Sequence, residues 1–289
     1  MSGELLFQLN ARGQGPGEYT DINAFAVNAS LHQLVIYDNM KQSLMFYSTE
    51  DGRFVKSEKF NKPTPAEIAY WGGYFFYHNR LHRNYQDDIS LHYYLLASKD
   101  GITIGKRYFK HENNKEDYPF SPSGHNLYDN NSKLYYCRDF DNIVYQIHED
   151  SVVPRFRINL PNPLPASMIE ERPNEMSLLR SGYSLGITDI YEYGGLLFFR
   201  FVKDGYIWSC LYNVEESKQV YCAKRIKFLD SSLIDTIDGI YKDCFYSILT
   251  PEYLDYAFSE NPLEDYPDLF KTYDVEGDNP VIAFYRAVV

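Results

Sequence analysis

The sequence predicts an all-β protein of the β-propeller class, and three observations lead to that prediction. The 289 residues include 28 Tyr and 19 Phe, and aromatic residues favour half-buried pleated surfaces. Short apolar runs separated by turn residues recur along the chain, as expected for many short strands. Groups of these runs repeat at intervals of about 50 residues, a period typical of propeller blades.

Hairpin turns mark the repeat. Asp51-Gly52 and Asp100-Gly101 each lie between two β-rich runs, and an Asp-Gly pair favours the positive φ angles of a tight hairpin turn. Polar turns follow at 149–151 and 215–218, again between apolar runs. We therefore predict four hairpins, each of which joins the third and fourth strands of one unit.

Two shorter apolar runs precede each of these hairpins, and a fifth pair follows the last one. We predict that they form the first and second strands of five units, which gives the four-stranded pattern of a propeller blade rather than a sandwich. The predicted first strands are residues 22–27, 67–70, 126–128, 186–190 and 237–240, and the predicted second strands are 34–37, 74–77, 134–136, 196–199 and 244–248.

The fifth unit has only three strands of its own, the last at 280–285. We expect a strand at 4–9 to pair with it and close a five-bladed ring, which removes two sheet edges. The alternative is a six-bladed propeller truncated at its N-terminus. Insertions at 161–182 and 250–277 contain helix-like segments, and we expect both to decorate one domain that spans 1–289.

Composition excludes some classes of function. The formal net charge is −12, which disfavours binding to the phosphate backbone of nucleic acids. No apolar run reaches the length of a membrane-spanning helix. Four cysteines are too few for a disulfide scaffold, and we expect most of them in the core. Whether Cys210 and Cys222 form a cross-strand disulfide is left open.

The N-terminus carries no secretory signal, because polar residues at 2–4 lead directly into a strand-like run. Three interpretations follow: a cytoplasmic protein, a mature chain whose leader has been removed, or an incomplete gene product. The last predicts a missing blade and an open or strained ring.

A glycine-rich segment carries a family resemblance. Residues 13–19 read Gly-Gln-Gly-Pro-Gly-Glu-Tyr, which resembles a signature of six-bladed β-propellers, relatives of NHL-repeat proteins, that occur as secreted proteins or lipoproteins in Bacteroides-type bacteria. The ending at 278–282 also resembles the last strand of that family. The resemblance implies a propeller in the periplasm or at the cell surface. This chain lacks the signal or lipobox, and about one blade, that such proteins carry before the motif.

From its own residues, the 13–17 segment is a loop between strands. Nucleotide-binding glycine loops lead from a strand into a helix, whereas a strand follows here, so we predict a structural connection between blades. Glu18 and Tyr19 then lie at the rim of the central channel, either as anchors or as ligand contacts.

Other candidate residues lie in loops on the same predicted face, where propellers place functional sites. One candidate is a basic cluster formed by His78, Arg80, His82 and Arg83. It suits a carboxylate or sulfate on a sugar. The alternative is a solvated loop whose positive charge balances Asp87 and Asp88. Asp139, Asp141 and Asn142 carry oxygen ligands, so calcium is a weak alternative to a plain turn. The predicted ligand-binding residues are Glu18, Tyr19, His78, Arg80, His82, Arg83, Arg138, Asp139 and Tyr183.

The chain lacks the metalloprotease motif H-E-x-x-H, and the repeats show no recurring inward acid. Aromatic residues near the loops, among them Tyr183, Tyr206 and Trp208, either stack on sugar rings or belong to the core. We expect a monomeric, non-enzymatic module without a cofactor that binds a glycan or a peptide outside the cytoplasm. The alternative is a glycan-active hydrolase or lyase with carboxylates in the channel.

Overall fold

The computed structural model describes residues 7–60, 64–79, 89–111, 121–122, 124–224, 237–260, 273–274, 276–277 and 279–286. Within these residues the strands form five antiparallel sheets, four with four strands and one with three. Each sheet is a meander whose strands pair in chain order or its reverse. The all-β propeller prediction is therefore confirmed.

The strands fall into five blades. Blade one contains β1 (Ala24–Asn28), β2 (Gln33–Asp38), β3 (Ser43–Ser48) and β4 (Phe54–Lys59). Blade two contains β5 (Pro65–Trp71), β6 (Tyr74–Asn79), β7 (Tyr93–Ser98) and β8 (Ile104–Lys110). Blade three contains β9 (Leu127–Asp129), β10 (Leu134–Tyr136), β11 (Ile143–Ile147) and β12 (Val152–Arg157). Blade four contains β13 (Ser184–Tyr193), β14 (Leu196–Lys203), β15 (Tyr206–Asn213) and β16 (Lys218–Ala223), and blade five contains β17 (Gly239–Tyr241), β18 (Cys244–Leu249) and β19 (Val281–Tyr285).

The predicted hairpin turns lie between the expected strands. Gly52 and Gly101 have φ angles of +71° and +85°, which glycine adopts without a steric penalty. Asp100 accepts hydrogen bonds from the N–H groups of Ile102 and Thr103 at 2.8 and 2.7 Å. Local turn chemistry therefore sets the register of these two hairpins.

Three short helices lie in the two predicted insertions: α1 (Ala166–Glu170), α2 (Glu175–Leu179) and α3 (Pro251–Glu260). The Asn174 side chain caps α2 by accepting from the Ser177 N–H at 2.9 Å. The two ends of the first insertion meet, because Asn162 donates from its side chain to the Gly182 carbonyl at 2.8 Å. The helices are thus additions to the blades.

The proposed closing strand at 4–9 falls mostly outside the described residues. Residues 7–9 are described and have an irregular backbone conformation, whereas 4–6 are not described. Blade five accordingly has three strands in the described part of the chain.

The chain divides into two compact units. The first comprises Met1–Pro119 with Ile147–Val153, and the second comprises Phe120–Gln146 with Pro154–Val289. Aromatic packing builds a core in each. In the first unit the Phe60 ring lies 5.7 Å from Tyr37 and 4.9 Å from Tyr77, centroid to centroid. In the second, the ring planes of Tyr191 and Phe198 are close to parallel at 6.5 Å.

A buried charge network connects blades three and four within the second unit. The Glu192 carboxylate accepts from Lys133 Nζ at 2.7 Å and from Arg155 Nη2 at 3.2 Å, and it also accepts from the Tyr135 hydroxyl. Burial alone would raise the pKa of Glu192, but the hydrogen bonds from Lys133 and Tyr135 and the nearby cations outweigh it, so the pKa is lowered.

Candidate functional site

The Gly13–Tyr19 loop is held together by its own glutamate. The Glu18 carboxylate accepts from the Gly15 N–H at 2.7 Å, and the backbone of Tyr19 pairs with Gly13 and Ala11 at 2.8 Å. A side chain on Gly13 would overlap the Glu18 carboxylate. The glycines of the motif therefore make room for the carboxylate that closes the loop.

Tyr19 packs beside the loop against one face of blade one, in a cluster with Ile36, Met45 and Tyr47. The Tyr47 hydroxyl donates to the Gly17 carbonyl at 3.1 Å. Burial, followed by the proximity of Tyr19 and Asp38, raises the pKa of Tyr47 to about 12. Glu18 and Tyr19 thus both have structural roles, and ligand contact by either stays a prediction.

The loop is also tied to the end of β2. The Asp38 carboxylate accepts from the Thr20 N–H at 2.6 Å and from the Lys41 N–H at 2.9 Å, while Lys41 Nζ donates to the Glu18 carbonyl at 2.5 Å. Burial would raise the pKa of Asp38, but these hydrogen bonds outweigh it and the pKa is lowered. The segment that contains the family-like motif is therefore a fixed connection.

The predicted basic cluster is described only at its first member. His78 lies in β6 with 2 % of its surface exposed, so its imidazole belongs to the interior of blade two. Arg80, His82 and Arg83 lie outside the described residues. Binding of an anion by this cluster stays a prediction.

Arg138 and Asp139 fix the turn between β10 and β11. The Arg138 guanidinium donates to Asp141 Oδ2 from Nη2 at 2.7 Å and from Nε at 3.1 Å, and the Asp139 carboxylate accepts from Ser121 Oγ at 2.7 Å. In the described part of the chain, no group of three or more His, Cys, Asp or Glu side chains is placed to hold a metal ion. The calcium alternative stays untested.

Aromatic and basic side chains meet at one end of blade four. We name Lys203, Tyr206, Trp208 and Lys224 the blade-four tip. Lys203 pairs with Tyr206 across the β14–β15 hairpin, and Trp208 pairs with Phe201. Directly paired residues share a face of an antiparallel sheet. Tyr206 is 54 % exposed, so this large aromatic ring is available to a ligand.

Cation–π contacts organise the blade-four tip. Lys224 Nζ lies 3.5 Å from the centroid of the Tyr206 ring and 5.8 Å from that of Trp208. The Trp208 indole is nearly parallel to the Phe201 ring, with an interplanar angle of 9° at 6.1 Å. The ammonium and the rings thus hold one another in place.

A disulfide lies next to the blade-four tip. Cys210 and Cys222 are directly paired between β15 and β16 and are bonded, which settles the question that the sequence left open. Lys224 follows this strand by one residue, so the cross-link fixes the strand that carries it.

Tyr183 lies beside the same hairpin, because it immediately precedes β13. A Cβ on its neighbour Gly182 would lie 3.6 Å from Asp204 Oδ1 in the β14–β15 turn. Of the predicted site residues, Tyr183 is therefore the one that the fold brings close to the blade-four tip. Lys224 was not identified from the sequence, since its contact with Tyr206 depends on the register of β16.

Three aspartates recur on or beside the first strands of blades three to five, a pattern that the sequence analysis did not identify. They are Asp129, Asp189 and Asp238. Asp189 has a φ angle of +52° and forms an ion pair with Arg200 at 2.8 Å. Burial raises the pKa of Asp129. The signal in the sequence was one Asp in or next to the predicted first strands of units three to five, 126–128, 186–190 and 237–240.

Two of these aspartates act on the same tyrosine, Tyr246. Burial is the largest cause of its raised pKa, and the carboxylates of Asp238 and Asp129 add to it. The Asp238 carboxylate also accepts from the Ile248 N–H at 2.7 Å. Asp129 and Asp238 therefore act on one tyrosine from two neighbouring regions of the second unit.

None of the helices in the described part of the chain is long and apolar enough to span a membrane. No curated protein matches the chain at a significant level. Among solved structures, a "Putative exported protein" from Bacteroides fragilis is similar, with 17 % sequence identity and a TM-score of 0.75, over 96 % of this chain and 80 % of that chain. This likeness supports the fold.

A second solved structure, a DUF4221 family member from Bacteroides vulgatus, has 11 % identity and a TM-score of 0.44, over 73 % of this chain and 68 % of that chain. A family model described as "Domain of unknown function (DUF4934)" matches residues 1–286, nearly the whole sequence. The chain therefore belongs to the DUF4934 family.

Proposed function

We propose that this propeller is an exported, non-enzymatic binding module that recognises a glycan at the blade-four tip. The observation that carries the proposal is the exposed Tyr206 ring, which Lys224 and Trp208 hold in place. Sugar rings present apolar C–H faces that stack on aromatic side chains, and ordered rings bind at a lower entropic cost. Tyr183 is a further contact beside it.

Two observations support export. The Cys210–Cys222 disulfide suits an oxidising compartment, since such bonds are rare in the cytosol. The similar Bacteroides fragilis protein is described as exported. The expected location is the periplasm or the cell surface.

Isothermal titration calorimetry with a panel of neutral, carboxylated and sulfated oligosaccharides tests the proposal. We expect one class to bind the full chain, and we expect Tyr206→Ala to weaken that binding at least about tenfold, as for the loss of a stacking contact. Tyr256→Ala is the matched control because Tyr256 is 53 % exposed and lies on α3, outside blade four.

Two results of this titration would contradict the proposal. One is binding that Tyr206→Ala leaves unchanged, and the other is the absence of binding by any glycan when the chain is folded. A peptide library screened in parallel tests the alternative that the ligand is a peptide. Peptide binding without glycan binding would also overturn the glycan proposal.

The second candidate function is cleavage of a glycan, favoured by the raised pKa of Asp129 and by Asp238, whose carboxylate, like that of Asp129, acts on Tyr246. A carboxyl with a raised pKa suits a general acid, and glycosidases pair such an acid with a second carboxylate. Release of reducing ends from polysaccharides, abolished in both Asp129→Asn and Asp238→Asn, would establish it. Release that persists in both variants would exclude these residues.

A further inference from the structure

We infer that the blade-four tip selects anionic sugar rings, those that carry a carboxylate or a sulfate. The inference rests on the proposed glycan-binding function and names its ligand class. It starts from the two lysines that flank Tyr206 at the tip.

The strand register places both lysine residues beside Tyr206. Lys203 is the direct cross-strand partner of Tyr206. Ala223 pairs with Ser209, so Lys224 follows at the level of Trp208, and its Nζ reaches the Tyr206 ring at 3.5 Å. One ammonium group therefore lies against one face of the Tyr206 ring, and a second lysine is the cross-strand neighbour of that residue.

The charges of these lysines are not neutralised locally. Among the residues that the structure describes, neither Lys203 nor Lys224 forms an ion pair with a carboxylate, whereas Lys133 and Lys106 do. Asp204, in the hairpin turn, is exposed and is the nearest acid along the strand. An ammonium group against an aromatic face keeps N–H donors for an anion.

The disulfide fixes the position of one of these cations. The Cys210–Cys222 bond joins β16 to β15 one pair before Ala223, the last paired residue of β16, so the backbone that leads to Lys224 is held beside β15. A positioned cation loses less conformational entropy when it binds an anion than a mobile one does. The disulfide therefore strengthens the expected preference of the blade-four tip for a negatively charged sugar.

The test compares charged and neutral versions of one sugar. We would titrate the full chain with tetragalacturonate, with its uncharged methyl ester and with a chondroitin sulfate hexasaccharide. We expect the acid or the sulfate to bind about five- to tenfold more tightly than the ester, with the advantage decreasing as salt is raised, as for exposed ion pairs.

Lysine variants test whether the preference for the charged sugar arises at the blade-four tip. Lys224→Met keeps the apolar stem and removes the charge, and it should remove most of the preference for the charged sugar. Lys224→Arg should retain that preference. Lys218→Met, at the other end of β16, is the matched control and should leave it unchanged. Thermal melts verify that each variant is folded.

The outcomes separate this inference from the proposed function. Equal binding of tetragalacturonate and its ester, with sensitivity to Tyr206→Ala, would overturn the charge selection and leave the glycan proposal standing. A preference for the charged sugar that survives both Lys224→Met and Lys203→Met would also overturn it. Absence of binding by all three probes and by the wider panel would overturn both proposals.

Discussion

At the scale of single residues, Gly186 fixes how the first strand of blade four meets the preceding blade. Its φ angle is +99°, and a Cβ there would lie 2.7 Å from the backbone Cα of Phe140. The next residue, Ile187, donates its N–H to the Asp141 carbonyl at 3.1 Å. The turn that holds Arg138 and Asp139 is therefore in direct contact with β13.

We expect Gly186→Ala to lower the free energy of unfolding by at least about 2 kcal/mol, since both the backbone angle and the overlap oppose a side chain. Urea denaturation followed by fluorescence measures the effect. Gly194→Ala is the control: Gly194 has a φ angle of +59° and open space around it, so only the backbone cost of about 1 kcal/mol applies. Equal losses in the two variants would contradict the role of the close approach.

Single residues are also where sequence reasoning was least complete. The residue types at 13–19 predict a connecting loop, and the structure contains one there. The contact of Glu18 with its own loop depends on the distance to Gly15, which composition does not encode. In the same way, the spacing of Arg138 and Asp141 is compatible with a ligand site. In the structure, the Arg138 guanidinium donates to the Asp141 carboxylate.

At the scale of elements, the β15–β16 hairpin combines a disulfide with the blade-four tip. A cross-link restricts the unfolded chain and thereby stabilises the folded one. We expect Cys210→Ala with Cys222→Ala to lower the free energy of unfolding by about 2–3 kcal/mol. Thermal unfolding with and without a dithiol measures this.

The dithiol also supplies the control. It should lower the melting temperature of the wild-type chain to that of the double variant and leave the variant unaffected. A wild-type melting temperature that does not respond to reduction would contradict a stabilising disulfide in this hairpin.

The Glu192 network gives a pH-dependent prediction for the contact between blades three and four. The pKa of Glu192 is lower in the folded chain than the ordinary value of 4.5. Its contribution is therefore complete above pH 4.5 and decreases as the pH falls through the lower, folded pKa. We expect Glu192→Gln to cost about 1–2 kcal/mol at pH 7 and less at pH 3.5.

Urea denaturation at pH 7, 5 and 3.5 measures the difference between wild type and Glu192→Gln. Glu216→Gln, on an exposed turn of the same blade, should leave stability unchanged at every pH. A Glu192→Gln effect that is constant across these pH values would show that charge is not involved.

At the scale of the whole molecule, the cysteine pairing yields a direct chemical measurement. The chain has four cysteines, of which Cys137 and Cys244 are free. Thiol titration of the denatured, unreduced protein should therefore give two thiols per chain, and four after reduction. Four thiols before reduction in protein from an oxidising compartment would exclude the disulfide.

The fold could be predicted from the sequence to a large extent because propeller blades repeat local signals. Asp-Gly turns, short apolar runs and aromatic enrichment each reflect short-range chemistry, and the five sheets follow them. The candidate site could be predicted less well. Tyr206 and Trp208 were noted near the loops, but Lys224 joins them through the β15–β16 register. Asp129 and Asp238 act on one tyrosine only through tertiary packing.

The meeting of the two ends of the first insertion has a practical consequence for engineering. Asn162 and Gly182 are joined by a hydrogen bond, and Pro163 bridges to Ser184, so the segment between them begins and ends at nearly one point, beside the start of β13. A short turn could replace it without stretching the chain, and a fluorescent reporter grafted there would report on ligand binding while the blades keep their own hydrogen bonds.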